Sequence, residues 1–139
     1  MNIVIDSNIF FSALIRDSTT RKIIISYDGF FIFPAYVFDE LNKHKSYIIK
    51  KSGLSNENFN LLIKLLLRKI IIVPENILLK YRDEAKEIIE SIDIDDVLFI
   101  ACALAYSDSV LWSDDKDLKK QTIVPVWNTS EVISYLNIK

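Results

Sequence analysis

Five short runs of β-branched and aromatic residues recur along this chain, separated by segments with helical spacing, and that alternation leaves few folds open. The runs are Asn2–Ile5 (NIVI), Phe30–Phe33 (FFIF), Ile70–Val73 (IIIV), Val110–Trp112 (VLW) and Val124–Trp127 (VPVW). Runs so continuously apolar suit strands covered on both faces. Between them the apolar spacing predicts helices over Asn8–Ile15, Arg21–Ser26, Ser55–Leu67, Leu78–Ser91 and Val97–Tyr106, with a closing helix over Ser130–Leu136. Pro34 suits the first turn of a further helix carrying Val37, Phe38 and Leu41, because its missing N–H costs nothing there. Ser55 reads as an N-cap with acid in the first turn. Strands alternating with helices predict an α/β protein: a three-layer α/β/α sandwich around a central, mostly parallel sheet. At 139 residues, one domain over 1–139 is expected, with no repeat or linker to divide it.

Open parallel sheets form their sites beyond the carboxyl ends of the strands. Four acids stand where strands end or helices begin: Asp6 in IVIDSNIFF, Glu40 in FIFPAYVFDEL, Asp96 in DIDDVLFIACAL and Asp115 in VLWSDDKDL. Carboxylates gathered from strand ends repel one another unless a cation lies between them, and hard divalent ions such as Mg²⁺ or Mn²⁺ match oxygen donors. Each acid also has a plainer reading. Asp6 or Ser7 serves as an N-cap, with Asn8 bonding local backbone. Glu40 sits on a solvated helix face beside Asp39; Asp95 or Asp96 caps the following helix; and SDDKD is a turn of solvated charge.

Composition removes several other functions. Gly29 and Gly53 are the only glycines, so no glycine-rich phosphate cradle exists. Cys102 is the only cysteine and lies in an apolar run, which excludes an internal disulfide and a thiolate metal site. His44 is the only histidine and lacks partners for zinc. A net charge of −2 argues against a domain that binds nucleic acid by bulk charge alone, but not against an enzyme with clustered acids. No apolar stretch reaches the ~20 residues of a membrane span, and no leader pattern precedes the first strand. A cytoplasmic location without membrane association is therefore expected.

Taken in order, DSN after the first strand, an acid in the helix after the second, Asp before an apolar helix and SDDKDL after a later strand resemble the PIN-domain family. The likeness runs from Ile3 to about Ile133 and is closest in IDSNIFFSAL, DDVLFIACAL and LWSDDKDL. It implies a Mg²⁺- or Mn²⁺-dependent endoribonuclease in which Asp6, Glu40, Asp96 and Asp115 bind metal and carry catalysis. Asp117 would stand at the rim of that cluster, with Asn8 and Ser113 as polar supports. The register favours Asp96 over Asp95, and S-x-D-x-D spacing favours Asp115 over Asp114. Small PIN domains also resemble VapC-type toxins, which implies a homodimer and an antitoxin protein as partner.

An acidic mouth needs cations around it to accept RNA. Lys43, His44 and Lys116 are candidate substrate contacts, with Arg16, Arg21, Lys22, Lys45, Lys119 and Lys120 beside them, although ordinary solubilising charge explains any single one. No aromatic platform for single strands is evident from the sequence. Two rival functions stand against the nuclease. One is a PIN-like scaffold that binds RNA or protein without cleaving. The other is a Mg²⁺-dependent phosphohydrolase with Asp6 as nucleophile, disfavoured because Asn8 holds the place of the second aspartate.

Overall fold

The computed structural model describes residues 1–89 and 96–136, so Asp95 and the end of the helix expected to run to Ser91 lie outside the described residues. Strands β1 (Asn2–Ile5), β2 (Phe31–Pro34), β3 (Ile70–Val73), β4 (Ser109–Trp112) and β5 (Val126–Trp127) form one sheet in the order β3-β2-β1-β4-β5. Every pairing is parallel, with Ile3 beside both Phe31 and Val110. The central strand is buried throughout its apolar length: Ile3, Val4 and Ile5 have no exposed surface. The α/β/α sandwich expected from the alternation is what forms, and the described sheet is wholly rather than mostly parallel.

Chain direction across the sheet decides where a site can open. After β1, helices α1 (Ser7–Ile15) and α2 (Thr19–Ser26) lead to β2; α3 (Val37–Ser52) and α4 (Asn56–Leu67) then lead to β3. The next crossover, through α5 (Glu75–Leu78), α6 (Arg82–Ile89) and α7 (Val97–Ala105), returns past β2 and β1 to β4. Right-handed crossovers running in opposite directions put α1–α4 on one face and α5–α7 on the other. In agreement, α7 packs on β1, β2 and β4, and α6 and α5 pack on α7. Helix α8 (Thr129–Leu136) closes the chain against β5. Between β1 and β4 the winding reverses, leaving a crevice at their carboxyl ends.

Local chemistry accounts for the helix ends. Ser55 caps α4 as expected, its Oγ accepting from Asn58 N–H at 3.1 Å. Gly53 ends α3 in the left-handed conformation with φ 70°, which a residue without Cβ adopts at little cost. Asn128 and Glu131 form a reciprocal capping box at the start of α8.

Several element ends shift by a residue or two from the sequence expectation, and two departures are larger. Pro34 does not begin a helix. It ends β2 in register with Val73, and α3 starts only at Val37. A proline at the last strand position lacks only a donor the ladder no longer needs, since Ala35 N–H makes the next bond to Val73 O. The helix expected over Leu78–Ser91 is divided within the described residues. Lys80 and Tyr81 donate three residues back, to Ile77 and Leu78, and this tight turn separates α5 from α6.

Candidate active site

Asp6 is the centre of the crevice. It follows the last residue of β1, is 4 % exposed, and its Oδ1 accepts from Ile9 N–H at 2.9 Å. The N-cap reading is therefore correct, yet it engages only one carboxylate oxygen. A carboxylate is costly to ionise where water is excluded, so burial pushes the Asp6 carboxyl above its ordinary range. Hydrogen bonds from Ser113 and Ile9 oppose that rise, while the nearby charges of Asp114 and Asp115 add to it. Ser113 is itself buried at the end of β4, which lies beside β1 in the sheet.

The segment after β4 divides its acids among separate tasks. Asp114 binds Thr129 through both oxygens, accepting from its N–H and from its hydroxyl, each at 2.8 Å. Thr129 Oγ1 in turn accepts from Trp112 Nε1, tying α8 to β4. Asp115 Oδ1 accepts from Asp117 N–H at 2.9 Å and caps the short 3₁₀ turn Lys116–Lys120. Its own N–H donates to Ser113 Oγ. Asp117 faces outward and pairs with Lys120 at 2.9 Å. Asp6, Asn8, Ile9, Ser12, Asp114 and Asp115 line one cavity of about 340 Å³.

Glu40 and Asp96 enter from two other elements. Glu40 lies in the first turn of α3, partly exposed, with Lys43 Nζ at 3.8 Å and His44 Nε2 at 3.7 Å. Asp96 stands at the head of α7 in a helical conformation without a side-chain cap bond, and its Oδ2 is shielded from solvent. Neither lines the cavity around Asp6. Among the described residues no three Asp, Glu, His or Cys side chains form a ready-made metal-binding group.

A PIN domain family model matches residues 4–137, nearly the whole chain. The chain belongs to the PIN domain family. Comparison with curated proteins gave no match. PIN domains have a nuclease-type fold and generally use divalent metals.

The donors of this PIN domain suit such an ion. Asp6 presents a buried carboxylate whose ionisation is opposed by desolvation and by two neighbouring negative charges, and a hard cation would relieve both penalties. Asp115 keeps its second oxygen clear of the cap bond it makes, whereas Asp114 has both oxygens on Thr129.

Asn8 lines the cavity with an exposed side chain, while the turn it was expected to pin is held by Asp6 and Ile9. Several nominated cations have local partners. Arg21 binds the carbonyls of Ala13 and Leu14 at the end of α1, and Lys119 pairs with Glu131. That pairing, with the Asn128 N–H bond, holds the Glu131 carboxyl below its ordinary range. Cys102 is fully buried in α7, and desolvation pushes its thiol far up, as expected of a structural cysteine. No helix among the described residues is long and apolar enough to cross a membrane.

Proposed function

We propose that this PIN domain is a Mg²⁺- or Mn²⁺-dependent endoribonuclease that hydrolyses phosphodiester bonds in single-stranded or structured RNA. The observation that carries the reading is the buried Asp6 carboxylate, pressed by Asp114 and Asp115 at the reversal between β1 and β4. Asp6 and Asp115 would hold the cation, with Asp96 and Glu40 completing the ligand set and Asp117 at its rim. Bound there, a divalent ion supplies an acidified water and stabilises charge on the phosphate. Asp6 is oriented by Ile9 N–H and by Ser113, so its carboxylate is held in place without reorganisation. Glu40 stands on a partly exposed face with Lys43 and His44 beside it, so those two side chains would meet the substrate next to the ion that Glu40 helps to hold. Lys116, exposed beside Asp115, is the matching contact across the crevice.

The test is cleavage of mixed RNA in Mn²⁺, with and without EDTA, by the wild type and by Asp6→Asn/Asp96→Asn. The double variant should lose about 100-fold or more in rate. Undiminished metal-dependent cleavage by the variant would overturn the site, and release of phosphate from a small ester without RNA cleavage would favour a phosphohydrolase.

The proposal extends to a VapC-type toxin that forms a homodimer and is silenced by an antitoxin protein. Exposed apolar side chains on adjacent elements, Leu61 and Leu65 of α4 and Ile71 and Ile72 of the edge strand β3, offer a second copy a surface to cover. An adjoining reading frame for a small DNA-binding protein would support the antitoxin.

A further inference from the structure

Helix α1 carries Asn8, Phe11, Ser12 and Ile15 along one stripe, facing the second half of α3. Between the two helices lies a cavity of about 460 Å³, closed by Arg16, Tyr47 and Lys51. Asn8 and Ser12 line both this cavity and the carboxylate cavity, so the two adjoin. No acid lines it, in contrast to the larger cavity of about 630 Å³ between α3, α5, α6 and α7, where Asp39 and Glu75 offset Arg82 and Lys86. Arg16 and Lys51 are exposed, and neither has a carboxylate within 4 Å among the described residues. Tyr47 is 59 % exposed, and Lys51 Nζ stands 5.8 Å from its ring centroid.

An exposed aromatic ring flanked by unpaired cations is what a single strand requires: a surface for a base and positive charge for the backbone. The geometry points to this groove as the path by which single-stranded RNA leaves the carboxylate site, with Tyr47 stacking a base and Arg16 and Lys51 holding phosphates. The inference rests on the ribonuclease reading and names residues for its substrate. From Asn8 to Arg16 the groove follows α1 for about 12 Å, eight helical rises, which takes the strand away from the acids before it meets its cations. The sequence gives little sign of this arrangement, because Tyr47 and Lys51 come together with Arg16 only when α3 packs across α1.

The test is fluorescence anisotropy with a fluorescein-labelled, randomised single-stranded RNA 12-mer in EDTA, across a salt series. The proteins are wild type, Arg16→Gln/Lys51→Gln, Tyr47→Ala, Tyr47→Phe and the charge-matched control Arg82→Gln/Lys86→Gln, each checked for an unchanged circular dichroism spectrum. Arg16→Gln/Lys51→Gln should bind about tenfold more weakly at low salt, with a log–log salt slope shallower by about 1.4, the value for two phosphate contacts on a single strand. Tyr47→Ala should lose about fivefold or more, and Tyr47→Phe should bind like the wild type. The groove is overturned if Arg16→Gln/Lys51→Gln keeps wild-type affinity and slope, or if the control weakens binding equally. Cleavage of the same RNA in Mn²⁺ separates the two claims. Cleavage by a wild type whose binding ignores the groove variants defeats the groove alone. Groove-dependent binding without cleavage defeats the ribonuclease alone, and absence of both defeats both.

Discussion

Asp6 is both a structural cap and a candidate ligand, since its cap bond to Ile9 engages Oδ1 alone. Its cap bond to Ile9 was legible in the sequence, since an aspartate between a β-branched run and a helical segment has few other local uses. What the sequence left hidden is the use of Asp114, whose partner Thr129 lies fifteen residues away and across β5. Choosing Asp115 over Asp114 rested on spacing, and Asp114 has both oxygens on Thr129. Because burial raises the Asp6 carboxyl above its unfolded value, its contribution to stability is fully present below the ordinary carboxylate range and is lost as pH rises through the raised value. Asp6→Asn keeps an oxygen for Ile9 and removes the charge. In EDTA its melting temperature should exceed that of the wild type at pH 7, and the difference should shrink as pH falls to 4. Thermal scans at the two pH values check this, and a variant less stable than wild type at pH 7 would refute it.

At the scale of elements, the apolar runs and caps were readable because each depends on near neighbours. Each of the five strands overlaps its expected run, with β2 reaching one residue further to Pro34 and β4 starting one residue earlier at Ser109, and the Ser55 cap is where it was expected. The boundaries that differ depend on partners remote in sequence or on a turn without a glycine or proline to mark it. Pro34 stays in β2 because β3 lies alongside, and the α5–α6 break comes from backbone bonds at Lys80 and Tyr81. The end of α3 is a local device. At Gly53 an added Cβ would meet nothing within 4 Å, so the cost of Gly53→Ala is conformational alone. The substitution should destabilise the protein by about 1 kcal/mol, which chemical denaturation will measure, with little change in RNA cleavage.

For the molecule as a whole, strand order builds the candidate site more than any one residue does. The sequence shows that strands and helices alternate, but not that β4 inserts beside β1, and only that insertion brings Ser113 and Asp115 to Asp6. The same order leaves β3 as an edge with Ile71 and Ile72 exposed. Light scattering should give a mass near twice 16.1 kDa, and Leu61→Glu/Leu65→Glu should return it to 16.1 kDa; a monomeric wild type would refute the dimer. The cation is the claim on which the rest depends, and isothermal titration of Mn²⁺ into metal-free protein at pH 7 tests it most directly. Saturable binding that disappears in Asp6→Asn and weakens in Asp115→Asn is the predicted result; equal binding by wild type and Asp6→Asn would contradict the account.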